Sequence, residues 1–175
     1  MREVDQITHH IPRLRRYAQA LMSNAVAADD LVQDALERAV SKFSLWRRDS
    51  DLRAWLFTIM HNVYVNQGLA TSRRQHMMVE APDVDAPTVP AAQEHSMAIR
   101  DMNRALTQLP DEFREVVLLV GLEKMRYEEV AQVLDIPKGT VMSRLSRGRE
   151  KLRQLMAGES KGTSSSDEPA FRVVK

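Results

Sequence analysis

Residues 126–155, RYEEVAQVLDIPKGTVMSRLSRGREKLRQL, constrain this chain more than any other stretch. A proline divides two short amphipathic patterns whose apolar stripes must share one core. Tyr127, Val130, Ala131 and Leu134 recur at i, i+3, i+4, i+7, one face of a helix. Asp135-Ile136-Pro137 ends it, because the residue before proline is pushed out of the helical region and proline suits the opening of a new helix. Val141, Leu145, Gly148, Leu152 and Leu155 then keep a 4-3-4-3 spacing, with Gly148 permitting close approach. The pattern predicts a helix-turn-helix.

Beside the second stripe, Thr140, Arg144, Arg147 and Lys151 fall in one narrow sector at 100° per residue, where cations and a hydroxyl can meet phosphates and base edges together. Residues 138–153 hold six basic side chains and one acidic, whereas 111–135 hold seven acidic and three basic. Charge that is sorted in this way, on a helix after such a break, points to DNA. The formal net charge of +1 hides the segregation, so overall charge says nothing about a nucleic-acid partner.

The remaining features set limits. With 175 residues, 43% hydrophobic but only 5% aromatic, the composition suits small helical domains with aliphatic cores. There is no cysteine, hence no disulfide framework, thiolate metal site or cysteine nucleophile, and the five histidines show no ligand spacing. No metal or other cofactor is expected. The start of the chain, MREVDQITHHIPRLRR, lacks an apolar signal-peptide core, and no run approaches the ~18 apolar residues of a membrane span, so the expectation is a cytoplasmic protein without membrane insertion.

In order along the chain, Ile7, Ile11, Leu14, Ala18 and Leu21 predict a first helix, with Ser23 or Asn24 capping the next. The second helix, from about Val26 to Phe43, turns Ala28, Leu31, Val32, Ala35, Leu36, Ala39, Val40 and Phe43 inward. Its outer face carries Asp29, Asp30, Gln33, Asp34 and Glu37, either a solvated surface or a docking face. Ser44 to Asp51 is a polar connection, and Asp51 caps a third helix from Leu52 to about Leu69. There Trp55, Leu56, Ile59, Met60 and Val63 form a core stripe, while His61, Asn62, Tyr64, Asn66 and Gln67 make the other side polar with few charges. Such a face suits unpaired bases, for which stacking contributes ~1–3 kcal/mol per base, or is a polar surface with Tyr64 half-buried. Residues 71–92 carry Pro82, Pro87 and Pro90 and predict a flexible linker of at most about 75 Å, so the two halves could occupy separate DNA sites without touching. Ala98, Met102, Ala105, Leu106 and Leu109, then Phe113, Val116, Val117 and Val120, predict two further helices before the helix-turn-helix. The expected architecture is all-α: a domain over residues 1–70, the linker, a four-helix domain over 93–156, and a disordered polar tail over 157–175.

The run LPDEFREVVLLVGLEKMRYEEVAQVLDIPKGTVMSRLSRGREKLR closely resembles the carboxy-terminal, minus-35-binding domain of bacterial extracytoplasmic-function (ECF) sigma factors of the sigma-70 family. DDLVQDALERAV and DLRAWLFTIMHNVYVNQ resemble, in the same order, that family's polymerase-binding and promoter-melting helices. The resemblance implies two helical sigma domains on a tether and no enzymatic activity. It implies that Asp29, Asp30, Gln33 and Asp34 meet core RNA polymerase, whose β′ and β subunits are the expected partners. Arg53, Trp55, His61, Asn62, Tyr64 and Asn66 would lie at the minus-10 element of promoter DNA, Trp55 doubling as a core candidate, with the 44–51 loop capturing a base. Lys138, Thr140, Ser143, Arg144, Arg147 and Lys151 would read the minus-35 element, and an anti-sigma factor would restrain the whole. The chain departs from the family pattern in having Asn66 and Leu69 where an aspartate and an arginine are usual, Met142 where a basic residue is common, and Asp135 where glycine is frequent. A stand-alone helix-turn-helix regulator is the alternative, but it leaves the amino-terminal half without a purpose.

Overall fold

The computed structural model describes residues 3–22, 24–47, 49–77 and 94–162, which form eight α-helices and one 3₁₀ turn. The first half contains α1 (Glu3–Thr8), α2 (Ile11–Leu21), α3 (Ala25–Ser41), the 3₁₀ turn (Phe43–Leu45) and α4 (Leu52–Met77). The second half contains α5 (Glu94–Thr107), α6 (Asp111–Gly121), α7 (Tyr127–Leu134) and α8 (Lys138–Gly162).

Two helix starts follow the expected caps. Asn24 Oδ1 accepts the N–H groups of Val26 at 2.8 Å and Ala27 at 3.3 Å, and Asp51 Oδ1 accepts that of Arg53 at 2.8 Å. The predicted first helix is split, however, at His9-His10. Pro12 has no N–H to continue the ladder of α1, whereas at the start of a helix that N–H is not needed, so α2 begins afresh at Ile11. Two other helices run longer than expected: α4 continues to Met77, into the predicted linker, and α8 to Gly162, into the predicted tail. The rest of both segments, 78–93 and 163–175, lies outside the described residues.

The turn between α7 and α8 is built on Asp135, which sits at φ 51°, ψ 49°, the left-handed geometry that aspartate tolerates better than most residues. The Ile136 N–H reaches back to the Ala131 carbonyl at 3.0 Å, closing α7 as a Schellman motif does. Gly148 of α8 is buried against α6: a Cβ there would stand 2.8 Å from Val117 Cγ2 and 3.3 Å from Phe113 Cβ.

Packing departs from the sequence pattern at several places. Val40 is 54% exposed, Ala98 and Met102 are exposed, and α6 buries Leu118 and Leu119 as well as Val116. The cause of the last is tertiary. The predicted halves do not stay apart; α4 packs on α7, and α2 packs on α5 and α6, so the buried side chains form one cluster from Ile7 to Leu145. Helix α6 is therefore covered on two sides.

Replacing Gly148 with alanine should destabilise the protein by ~1–3 kcal/mol through overpacking. Gly121→Ala, with nothing within 4 Å of the added methyl, should be neutral or slightly stabilising. Thermal unfolding of the two variants measures the difference.

Candidate nucleic-acid and polymerase interfaces

Charged groups bridge the two halves alongside the shared apolar core. Arg114, 9% exposed, donates to the carbonyls of Leu106, Thr107 and Leu109 at 2.7 Å each, and to that of Leu21 at the end of α2 at 2.9 Å. One guanidinium thus closes the carboxy-terminal ends of α5 and α2 together. Arg16 of α2 meets Glu123 Oε1 at 2.8 Å; Glu123 is 2% exposed, and its other oxygen is buried with no hydrogen-bond partner. Arg53 of α4 donates to the Glu123 carbonyl at 3.3 Å and pairs with Glu129 at 3.4 Å. His61 Nδ1 donates to Glu115 at 2.7 Å, since a carboxylate can only accept. Burial and the neighbouring Asp111, to which its hydroxyl is hydrogen bonded, push the Tyr64 phenol well above its usual range.

These contacts divide the expected minus-10 residues. At 100° per residue, Arg53, His61 and Tyr64 share one face of α4, and Trp55, Asn62 and Asn66 share a face roughly opposite to it. The first face is covered by Glu115, Glu123, Glu129 and Asp111; the opposite one is turned away from the carboxy-terminal half. Trp55 is half-buried, edge-on to Phe43 with ring centres 6.2 Å apart, while Asn62 and Asn66 are exposed. Sequence periodicity puts residues on a common face only if the chosen centre of that face is right, and the core stripe expected on α4 is centred about one residue off: Phe57, 1% exposed, is core.

The connection before α4 borders a cavity of about 320 Å³ lined by Gln6, His9, His10, Trp46, Ser50 and Leu52. Trp46 Nε1 and His10 Nδ1 are buried there without partners. Burial, with His9 and Arg13 alongside, lowers the His10 pKa from its ordinary value, which keeps the imidazole neutral.

On α3, Asp29 and Gln33 line a groove of about 740 Å³ together with Arg15, Val32, Leu36, Glu37 and Val40. Asp30 is exposed outside that lining, whereas Asp34 is half-buried and accepts from Gln67 of α4 at 2.9 Å. The acidic set is thus not one surface. The groove's apolar floor was hidden in the sequence because Leu36 and Val40 fit the core stripe equally well.

On α8, Lys138 pairs with Glu128, whose carboxyl the lysine holds below the usual carboxylate range. Arg144, beside the apolar stripe, meets Glu112 of α6 at 3.1 Å. Ser143 Oγ donates to the Thr140 carbonyl at 3.1 Å. Arg147 and Lys151 are exposed, and among the described residues neither makes an ion pair. No cluster of three or more metal-ligating side chains occurs among the described residues, and no helix there is long and apolar enough to cross a membrane.

Reversing Arg16 and Arg53 to glutamate should set like charges against Glu123 and Glu129 and separate the halves. The radius of gyration from small-angle scattering should rise clearly above the ~16 Å of a compact chain of this length, with helical circular dichroism retained. An unchanged radius would show that the apolar part of the contact suffices.

Residues 7–61 match the family described as the Sigma2 domain of PhyR, and residues 99–152 match Sigma-70, region 4. The chain is 34% identical to the ECF RNA polymerase sigma factor EcfG of Rhodopseudomonas palustris over 87% of its length and 83% of that protein's. It is 32% identical to the ECF RNA polymerase sigma factor SigM of Mycobacterium tuberculosis, over 84% and 73% of the two chains. Its fold superposes on the sigma factor RpoE of Bartonella quintana, determined in complex with the anti-sigma factor NepR, with a TM-score of 0.78, 32% identity, and coverage of 87% of this chain and 95% of that one. With both halves matched in order and the likeness running through most of the chain, this protein belongs to the ECF RNA polymerase sigma factor family.

Proposed function

We propose that the chain is an alternative sigma factor working in the cytoplasm. It binds core RNA polymerase, directs it to promoters by reading minus-35 DNA with α8 and minus-10 DNA with α4, and promotes strand opening. An anti-sigma factor holds it inactive. The observation that carries this reading is the conjunction, in one chain, of an acid-rimmed apolar groove on α3 with an exposed helix-turn-helix. A stand-alone regulator has no use for the former.

Each surface has a physical part to play. The groove on α3, with Asp29 and Gln33 at its rim, takes a helical element of the β′ subunit. Val32, Leu36 and Val40 supply apolar contact, and the acids supply orientation. The pocket at His10 and Trp46 suits a captured base, which would give the two orphaned ring nitrogens their partners. Arg147 is the best placed of the recognition-helix cations for base edges; Arg144, held laterally by Glu112, suits phosphate. The packed arrangement covers Arg53, His61 and Tyr64, so it corresponds to the inactive form, and the likeness to a relative bound to an anti-sigma factor supports that assignment.

Reversing Asp29 and Asp30 to lysine should weaken co-migration with core enzyme at least about tenfold, about 1.4 kcal/mol, while circular dichroism is unchanged. Undiminished co-migration would remove the polymerase-binding assignment. On matched and singly substituted minus-35 sites, Arg147→Ala should lose ~1–3 kcal/mol of base discrimination. Arg144→Ala should weaken all sequences alike and lower the salt slope by about one. If neither variant alters sequence preference, α8 does not read bases through these side chains.

A further inference from the structure

The chemistry of the α3 groove describes what can fill it. Val32, Leu36 and Val40 supply an apolar floor, Asp29 and Glu37 stand along it, and Arg15 of α2 is the single cation of the lining. Among the described residues, none of Arg15, Asp29 and Glu37 makes an ion pair, and all three are exposed. A matching occupant is a short apolar segment that carries cations for the two acids and an acid for Arg15. The chain contains such a segment. Residues 167–175 read DEPAFRVVK: two acids, then Phe171, Val173 and Val174 interleaved with Arg172 and Lys175.

The fold leads that segment toward the groove. Gln154, Leu155 and Gly158, in the last turns of α8, line a cleft of about 370 Å³ with Gln108, which follows α5. Arg114 donates to the carbonyls on either side of Gln108, those of Thr107 and Leu109, and the same guanidinium donates to Leu21 at the end of α2. The end of α8 therefore stands near the corner where α2 gives way to α3, and Asp29 lies in the second turn of α3. The nine residues from 163 to Phe171 reach about 30 Å when extended, and α3 from Asp29 to Ser41 covers about 18 Å. We propose that residues 167–175 dock in the α3 groove of their own chain. Phe171, Val173 and Val174 lie on the apolar floor, Arg172 and Lys175 meet Asp29 and Glu37, and Asp167 and Glu168 meet Arg15. Tethering gives the segment a local concentration in roughly the millimolar range, so a contact too weak to persist between separate molecules is populated within one. The same segment of a second copy, at ordinary protein concentration, competes poorly with it. Under the polymerase reading of this groove, on which the consequence rests, the chain carries its own competitor for core enzyme.

Because the chain contains no cysteine, a pair of introduced thiols reports proximity cleanly. Under mild oxidation, the full-length chain with Val40→Cys and Val173→Cys should close a disulfide within one molecule, read as a monomer of altered mobility on a non-reducing gel. Closure should be at least about tenfold faster than for Gln132→Cys with Val173→Cys, which pairs the segment with an exposed position on α7. Adding Asp29→Lys and Glu37→Lys should slow closure by about fivefold at low salt and by less at high salt. Thermal unfolding of each variant separates loss of docking from misfolding. Equal closure rates for the two pairs, a disulfide formed only between two molecules, or closure indifferent to the charge reversals would overturn the proposal. The consequence is read separately. Deleting residues 163–175 should raise affinity for core polymerase by about threefold or more, and Phe171→Asp with Val173→Asp in the full-length chain should do the same. Selective closure of the Val40 and Val173 pair, with polymerase affinity unmoved by the deletion, would instead refute the assignment of the groove to polymerase.

Discussion

Arg114 ties the two halves of the packed form together through the Leu21 carbonyl. A guanidinium carries five donors and cannot shed its charge, so burying it is tolerable only where several acceptors converge. Here the acceptors lie at helix ends: Leu106 and Thr107 in the last turn of α5, Leu109 just beyond it, and Leu21 at the end of α2, where the helix dipole is negative. The same side chain that finishes the α5–α6 corner therefore ties the amino-terminal half to the carboxy-terminal one. Strip away the Leu21 bond and the corner can survive; strip away the corner and the halves lose their anchor.

Around that anchor, the contact between halves combines a shared apolar core with a set of charged pairs. Acidic groups from α6, the turn after it and α7 stand against Arg16, Arg53 and His61. Each of these pairs has at least one largely buried partner, so salt screens it less than an exposed pair, and its charges need replacement partners when the halves part. Such a contact is suited to being exchanged for another.

Local chemistry was legible in the chain, and tertiary assignment of faces was not. Asn24, Asp51, the left-handed turn at Asp135 and the close approach at Gly148 each follow from what a single residue type can do. The division of α4 into two opposed faces does not, because periodicity says which residues are neighbours on a helix but is silent about which element covers them. The same silence let Leu36 and Val40 pass as core when they floor a groove. One signal was available: Val116 to Val120 is five apolar residues in succession, too many for a helix with one buried side, and it marks α6 as covered twice. Arg114 was hidden by its surroundings, since a lone arginine in DEFRE reads as an ordinary surface charge.

Glu123 carries a consequence of its own. Its carboxylate is buried by the contact between halves, but only one of its oxygens is answered, and an unmet buried acceptor costs ~1–3 kcal/mol. That cost falls on the packed form alone and vanishes when the halves part and water reaches the oxygen. It therefore lowers the ratio of packed to parted molecules by roughly five- to 150-fold relative to a fully satisfied contact. The unmet oxygen therefore works against the packed form and in favour of any competitor that parts the halves.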